Sequence, residues 1–229
     1  MLPELQPVAW AAITVGLYLL ARAIYQRHAH WFTSPLLVTW ALCFSLALIL
    51  HVNYRSYLRG THWLLALLGP AVMAFAIPIY QQRQLIRRNW TVLAVGAVAG
   101  SAIAFASSWL LAWALGLSPD LRLSLLPRSV TTPFALEFVK SVGGSPELTA
   151  TCVVITGLFG AFLGELLLNW LPLRSAFARG ALFGMGAHSV GTAKAREVGE
   201  VEGSVAGLIM VLAGILSVLV APVLAICMR

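Results

Sequence analysis

The sequence has few charged residues. Asp, Glu, Lys and Arg make up 10% of its 229 residues, against about a quarter of an average soluble domain. Hydrophobic residues make up 60% and the mean hydropathy is +0.88, which excludes a soluble globular domain. We predict an all-α integral membrane protein, and this length holds about seven or eight membrane elements. We expect a single transmembrane domain over residues 1–229 and no soluble domain.

Cysteine is also scarce, and metal-ligand spacing is missing. Cys43, Cys152 and Cys227 each lie inside an apolar run, so we predict neither a disulfide nor a metal site. There is no metal-spaced cluster, nucleophile elbow or phosphate-binding loop, which argues against an enzyme and against a cofactor. The net charge of +7 lies mostly in short clusters between apolar runs, which is typical of loops that orient membrane spans and not of a nucleic-acid surface.

The sequence contains several long apolar runs, and we predict that each of them crosses the membrane. The first run follows Glu4 and precedes arginines, so we interpret it as a span and not as a signal peptide. The cluster Arg83, Arg87 and Arg88 places its loop in the cytoplasm and the N-terminus outside, although the positive loop after the second run points the other way. The runs cover residues 5–21, 33–50, 63–82, 89–119, 148–171 and 203–228.

A polar island bounded by prolines interrupts these runs at residues 126–133. Pro133 suits the first turn of a helix and disfavours a helical Thr132, so we predict a helix start here, capped by the side chain of Thr132 or Ser129. Its N–H groups and the Arg128 guanidinium would then converge on an anion. The alternative is a surface connection from which Arg128 extends to lipid headgroups. The apolar segment that follows, which carries Glu137, predicts a half-helix or re-entrant element.

Two further stretches predict interrupted helices. The run 63–82 contains Pro70 and Pro78, and prolines at membrane depth require a local break or a cavity. The stretch 180–195 has small-residue faces that allow close packing, and His188 and Thr192 share a face at i and i+4. Because an ionisable side chain at membrane depth usually has a function, we predict a functional role for His188. The alternative is a packed, hydrogen-bonded histidine with a structural role. The charged residues from 194 to 202 predict a solvated turn.

The interrupted stretches occupy comparable places in the two halves, about 1–118 and 119–229. This pattern is typical of secondary transporters built from inverted repeats, whose site lies where the broken helices meet. We therefore expect the three breaks to adjoin one another.

The motifs in these stretches resemble those of the LrgB/CidB family of bacterial membrane proteins, over essentially the whole chain. They are Pro70 to Tyr80, Ser-Val-Thr-Thr-Pro at 129–133, Gly143-Gly144, and Arg179-Gly180 followed by His-Ser-Val-Gly-Thr-Ala at 188–193. The resemblance implies antiholin-like or autolysis-modulating proteins that act with a small LrgA/CidA-type membrane partner. It equally implies carriers of small hydroxy- or keto-carboxylates, including a plastid glycolate/glycerate carrier. Relatives often have lysine where Arg128 stands.

Our leading hypothesis is a multi-pass carrier of small monocarboxylates, such as pyruvate, lactate or glycolate, in the bacterial cytoplasmic (inner) membrane. His188, Glu165 and Glu137 are candidates for proton coupling. The alternative is an antiholin-like regulator of murein hydrolase activity, for which glycine faces and an oligomerisation surface would suffice; a homo-oligomer stays open. The predicted substrate-binding residues are Arg128, Ser129, Thr131, Thr132, His188, Ser189, Thr192 and Pro70.

Overall fold

The structure is a computed structural model that describes residues 5–27, 33–52, 57, 60–61, 63–64, 66–74, 76–81 and 83–227. These residues form helices and turns, with no strand among them, which confirms the all-helical class. The chain divides into two compact units, Met1–Ala71 and Val72–Arg229. The predicted division into halves near residue 118 stays a prediction.

The first unit contains a pair of packed helices, α1 (Leu5–Arg27) and α2 (Pro35–Ile49). On α1, the Thr14 hydroxyl lies 3.0 Å from the Tyr57 hydroxyl. The helix α3 (Leu68–Ala74) lies at the boundary of the unit. The positive loop that we predicted after the second run lies mostly outside the described residues. The residues concerned are Asn53, Tyr54, Arg55, Arg59 and His62. His28 and His30 lie outside them as well.

The second unit carries three helices that are long and apolar enough to cross a membrane: α6 (Trp90–Ala114), α9 (Pro146–Trp170) and α12 (Glu200–Cys227). The chain is therefore a membrane protein, while the count of seven or eight elements and their inverted relation stay predictions. Its helices are α4 (Ala76–Gln81), α5 (Arg83–Arg88), α6 (Trp90–Ala114), α7 (Pro119–Leu125), α8 (Thr132–Val142), α9 (Pro146–Trp170), α10 (Ala176–Gly186), α11 (His188–Val198) and α12 (Glu200–Cys227).

Local sequence explains where these helices begin and end. Ser145 caps α9 by accepting a hydrogen bond from the Leu148 N–H at 3.3 Å, and Pro146 follows in the first turn. After α6 and α8 the chain turns at Gly116 and Gly143, with φ of 64° and 86°. Both values lie in the left-handed region that glycine adopts without a steric penalty.

The helix α12 is the packing centre of the second unit, because it contacts α6, α8, α10 and α11. Two glycines of α10 allow the closest approach. A Cβ on Gly184 would lie 2.5 Å from the Ala206 carbonyl oxygen, and one on Gly180 would lie 2.7 Å from that of Glu202. The predicted small-residue face on α10 is therefore confirmed.

One prediction about this packing is partly wrong: Arg196, Glu197 and Glu200 are exposed as expected, but Glu202 is not. We expected residues 194–202 to form a solvated turn, but Glu202 is only 6% exposed and belongs to α12. Its Oε1 accepts hydrogen bonds from Nη2 and Nε of Arg179 on α10, at 2.6 and 3.0 Å. The close approach of α10 and α12 encloses this carboxylate, and the arginine supplies the hydrogen bonds that a buried charge requires.

Candidate functional site

The polar island breaks the helical path as predicted. Residues 126–129 form a short 3₁₀ helix, and Val130 and Thr131 are extended, with ψ of 146° and 145°. The helix α8 then begins at Thr132, one residue earlier than expected. The predicted capping by the Thr132 or Ser129 side chain is wrong: Thr131 occupies the cap position and no side chain caps this helix.

Arg128 points from this island to the neighbouring helix α6. Its Nε donates a hydrogen bond of 2.7 Å to the hydroxyl of Ser108, which is only 3% exposed. The short 3₁₀ helix that carries Arg128 also contacts α9. Within the described part of the chain no carboxylate pairs with Arg128, whereas Arg179, Lys194 and Lys140 each pair with a glutamate.

The second break, predicted within residues 184–191, lies between α10 and α11. Ala187 leaves the helical conformation (φ −137°, ψ 9°) and His188 has a φ of 40°. This is the left-handed region, which histidine tolerates better than most residues. The hydroxyl of Thr192 donates to the His188 carbonyl at 2.9 Å, so the predicted i and i+4 relation holds. Ser189 is exposed, and its hydroxyl lies 3.4 Å from Nδ1 of His188.

The His188 imidazole is buried against α9 and is 2% exposed. Its Nε2 lies 3.1 Å from the carbonyl oxygen of Val153. A carbonyl can only accept, so Nε2 carries the hydrogen of this bond. The ring lies over Gly157, where a Cβ would be 2.6 Å from its Cε1.

The two breaks meet on α9 at Val153. Val153 belongs to one buried cluster with Val130 of the first break and Ala135 of α8, and its carbonyl accepts a hydrogen bond from His188 of the second break. Their predicted proximity is therefore observed. The third predicted break, in the stretch that contains Pro70 and Pro78, stays a prediction, because Phe75 and the Pro78 side chain lie outside the described residues. Pro70 is exposed, and its predicted role stays a prediction.

The two glutamates predicted as proton carriers are paired with lysines. Glu137 forms an exposed pair with Lys140 on α8 at 3.1 Å. Glu165 on α9 lies 3.4 Å from Lys194 on α11, and Lys194 also pairs with Glu197 at 2.9 Å. Their role in proton coupling stays a prediction.

Sequence reasoning missed Ser108 and Val153. Ser108 had a detectable signal, because Ser107 and Ser108 form a polar pair inside an otherwise apolar run. Val153 had none, since its contribution comes from a backbone carbonyl and from packing.

Comparisons with known proteins identify the family of this chain. Residues 14–227 match the LrgB-like family. The chain is 40% identical to Uncharacterized protein YwbG of Bacillus subtilis (strain 168), over 93% of this chain and 94% of the relative. It is 37% identical to Uncharacterized protein YxaC of the same organism, over 89% of each chain.

Holin-like protein CidB of Staphylococcus aureus (strain N315) is 31% identical over 96% of each chain. No solved structure matches the chain significantly. The family match covers almost the whole sequence, and the relatives align with it from end to end. The chain therefore belongs to the LrgB-like family, as its motifs predicted.

Proposed function

We propose that this protein is a carrier of small monocarboxylates of the pyruvate, lactate and glycolate type, and not an enzyme. The substrate carboxylate binds at Arg128, beside the point on α9 where the two helix breaks meet. We place the protein in the bacterial cytoplasmic (inner) membrane and propose an LrgA/CidA-type small membrane protein as its partner.

The observation that carries this proposal is a group of hydrogen-bond donors without acceptors. In the described part of the chain, the terminal amino groups of Arg128 and the hydroxyl hydrogen of Ser108 contact no acceptor. The same holds for the backbone N–H groups of Thr131 and Thr132 at the start of α8. Arg128 is half-buried, and a cation held there without a counter-charge is unfavourable. A carboxylate supplies that charge and only accepts hydrogen bonds, so it suits these donors.

The surroundings of Arg128 favour a site over a headgroup anchor. An anchoring arginine extends its guanidinium to the interface, away from buried partners. Arg128 instead turns toward a buried hydroxyl on α6, and the 3₁₀ helix that carries it also contacts α9. A guanidinium held between two spanning helices can form the two parallel hydrogen bonds that a carboxylate prefers.

The second break contributes to the same region through His188. We propose that its imidazole, held on Val153, accepts a proton together with the incoming anion, so that the pair crosses with little net charge. Thr192 fixes the His188 backbone by donating to its carbonyl. Ser129, Thr131, Thr132 and Ser189 complete the proposed polar lining.

Uptake into proteoliposomes tests the proposal. Labelled pyruvate, lactate and glycolate are supplied with and without a pH gradient, to the chain alone and to the chain with an LrgA/CidA-type protein. We expect saturable uptake of at least one of them, and Arg128→Gln should weaken carboxylate binding by about 1.5–3 kcal/mol. Arg174→Gln is the matched control, because Arg174 is an exposed arginine outside the breaks. Normal uptake by Arg128→Gln would refute the site.

The name of the Staphylococcus relatives, Holin-like protein CidB, favours a second candidate: an antiholin-like regulator of murein hydrolase activity. Such a regulator acts through oligomers and partner contacts, so it needs the packing of α10 on α12 and not the Arg128 charge. Autolysis rates of cells that carry Arg128→Gln separate the two functions. A carrier loses its effect on autolysis with that substitution, and a regulator keeps it.

A further inference from the structure

We infer that Ser108 positions the Arg128 guanidinium so that a single edge of it is presented to the substrate carboxylate. This inference rests on the proposed carrier function and adds a residue to its site. Ser108 lies on α6, twenty residues before Arg128 in the sequence, and reaches it through the 2.7 Å hydrogen bond.

The geometry of a guanidinium explains why this bond selects an edge. Its five N–H groups form a planar fork that can bind a carboxylate through two edges, either Nε with one terminal nitrogen or the two terminal nitrogens together. The Ser108 hydroxyl occupies Nε. The edge formed by Nη1 and Nη2 therefore remains for a bidentate carboxylate.

The burial of Ser108 supports a role beyond packing. At 3% exposed, its hydroxyl lies inside a helix of membrane-spanning length, where a polar group is unfavourable without a partner. Serine hydroxyls in such helices commonly bond to their own backbone one turn earlier. Ser107 does so, since its hydroxyl donates to the Ala104 carbonyl at 3.0 Å. Ser108 binds Arg128 instead.

This neighbour provides a matched control. Ser107 lies next to Ser108 on the same helix and is exposed, so Ser107→Ala removes the same hydroxyl without touching Arg128. Lysine at position 128 provides the second comparison, because its ammonium is a point charge without an Nε to be oriented. In a protein that carries Arg128→Lys, the Ser108 hydroxyl therefore has no guanidinium to position.

The experiment measures the Kd of labelled pyruvate for the purified full chain, with the KM and maximal rate of its uptake into proteoliposomes. We expect Ser108→Ala to raise Kd and KM about tenfold, the scale of a hydrogen bond to a charged group, with the maximal rate within about twofold. Ser107→Ala should behave as the unaltered protein. Ser108→Ala should add little to the effect of Arg128→Lys.

The outcomes separate this inference from the proposed function. If Arg128→Gln abolishes pyruvate binding while Ser108→Ala matches Ser107→Ala, the role of Ser108 is refuted and the carrier site stands. Equal effects of Ser108→Ala in the unaltered protein and in the Arg128→Lys background would also refute it, because a packing role does not depend on the guanidinium. If Arg128→Gln binds and transports normally, the proposed function itself is refuted.

Discussion

The imidazole of His188 donates a hydrogen bond of 3.1 Å to the backbone carbonyl of Val153, thirty-five residues earlier in the chain. In a regular helix this carbonyl already accepts from the N–H of Gly157, so it uses its second lone pair for histidine. Gly157 has no side chain, which leaves room for the ring to lie on the helix surface. The His188 imidazole and the Val153 carbonyl thus join α11, which follows the second break, to the spanning helix α9.

The first prediction concerns the stability of this junction. His188→Asn keeps a residue that tolerates the left-handed backbone but is too short to reach Val153, so it removes the bond together with the packing of the ring over Gly157. We expect a loss of about 1–3 kcal/mol, measured by thermal or denaturant unfolding of the purified protein in detergent. Ser189→Ala, at the exposed neighbour, is the control and should have little effect. Equal stabilities would show that the bond contributes nothing.

The second prediction concerns pH. Histidine has a reference pKa of about 6.5. Burial of the His188 ring disfavours its charged form, so the ring gains a proton only when an anion binds beside it. Protonation adds a positive charge that offsets the substrate carboxylate, and uptake should therefore rise as the outside is acidified. His188→Gln retains an N–H for Val153 but cannot take up the proton, so exchange should persist without the pH dependence. Proteoliposome uptake across a series of external pH values measures this.

An unchanged pH response in His188→Gln would contradict the coupling role. The proton would then be carried by Glu165 or Glu137, and His188 would be a structural histidine. Glu165→Gln and Glu137→Gln, measured in the same assay, identify which carboxylate is responsible.

The third prediction concerns the contact between α10 and α12. A Cβ at Gly184 would lie 2.5 Å from a backbone oxygen of α12, which cannot move without shifting the helix. We expect Gly184→Ala to destabilise the protein by about 1–3 kcal/mol, as overpacking does. Gly186→Ala, two residues further on, meets nothing within 4 Å and is the control. Unfolding in detergent measures both, and equal stabilities would contradict the observed packing.

The fourth prediction compares a buried and an exposed carboxylate. Glu202 accepts two hydrogen bonds from Arg179 and is 6% exposed, so Glu202→Gln leaves the guanidinium without its counter-charge. We expect a loss of about 1.5–3 kcal/mol, the scale of hydrogen bonds to charged groups. Glu137→Gln removes an exposed pair and should change stability by less than about 1 kcal/mol. A smaller loss at position 202 than at 137 would contradict this.

The sequence predicted the breaks better than the contacts that hold them. Pro133 and the glycines around His188 carry strong local conformational signals, so the start of α8 and the interruption before α11 could be located within a residue or two. The cap of α8 was predicted wrongly, because Thr131, Thr132 and Ser129 are all acceptable capping residues and local sequence does not rank them.

Tertiary contacts account for what was missed. In the sequence Glu202 is indistinguishable from a loop charge, and only the approach of α12 to Gly180 of α10 makes it buried. Ser108 is one of several serines in its run, and its selection as the partner of Arg128 depends on how α6 faces the 3₁₀ helix. Neither relation is encoded in spacing along the chain.

The position of Val153 makes the two halves of the proposed site thermodynamically dependent on each other. Val153 lies in the same buried cluster as Val130, two residues after Arg128, and its carbonyl binds His188, so a shift of α9 would affect both breaks. Coupling between two sites is reciprocal: if a proton on His188 raises the affinity for the anion, the anion raises the affinity for the proton by the same factor. The link through Val153 would thus make the proton and the anion each favour the binding of the other.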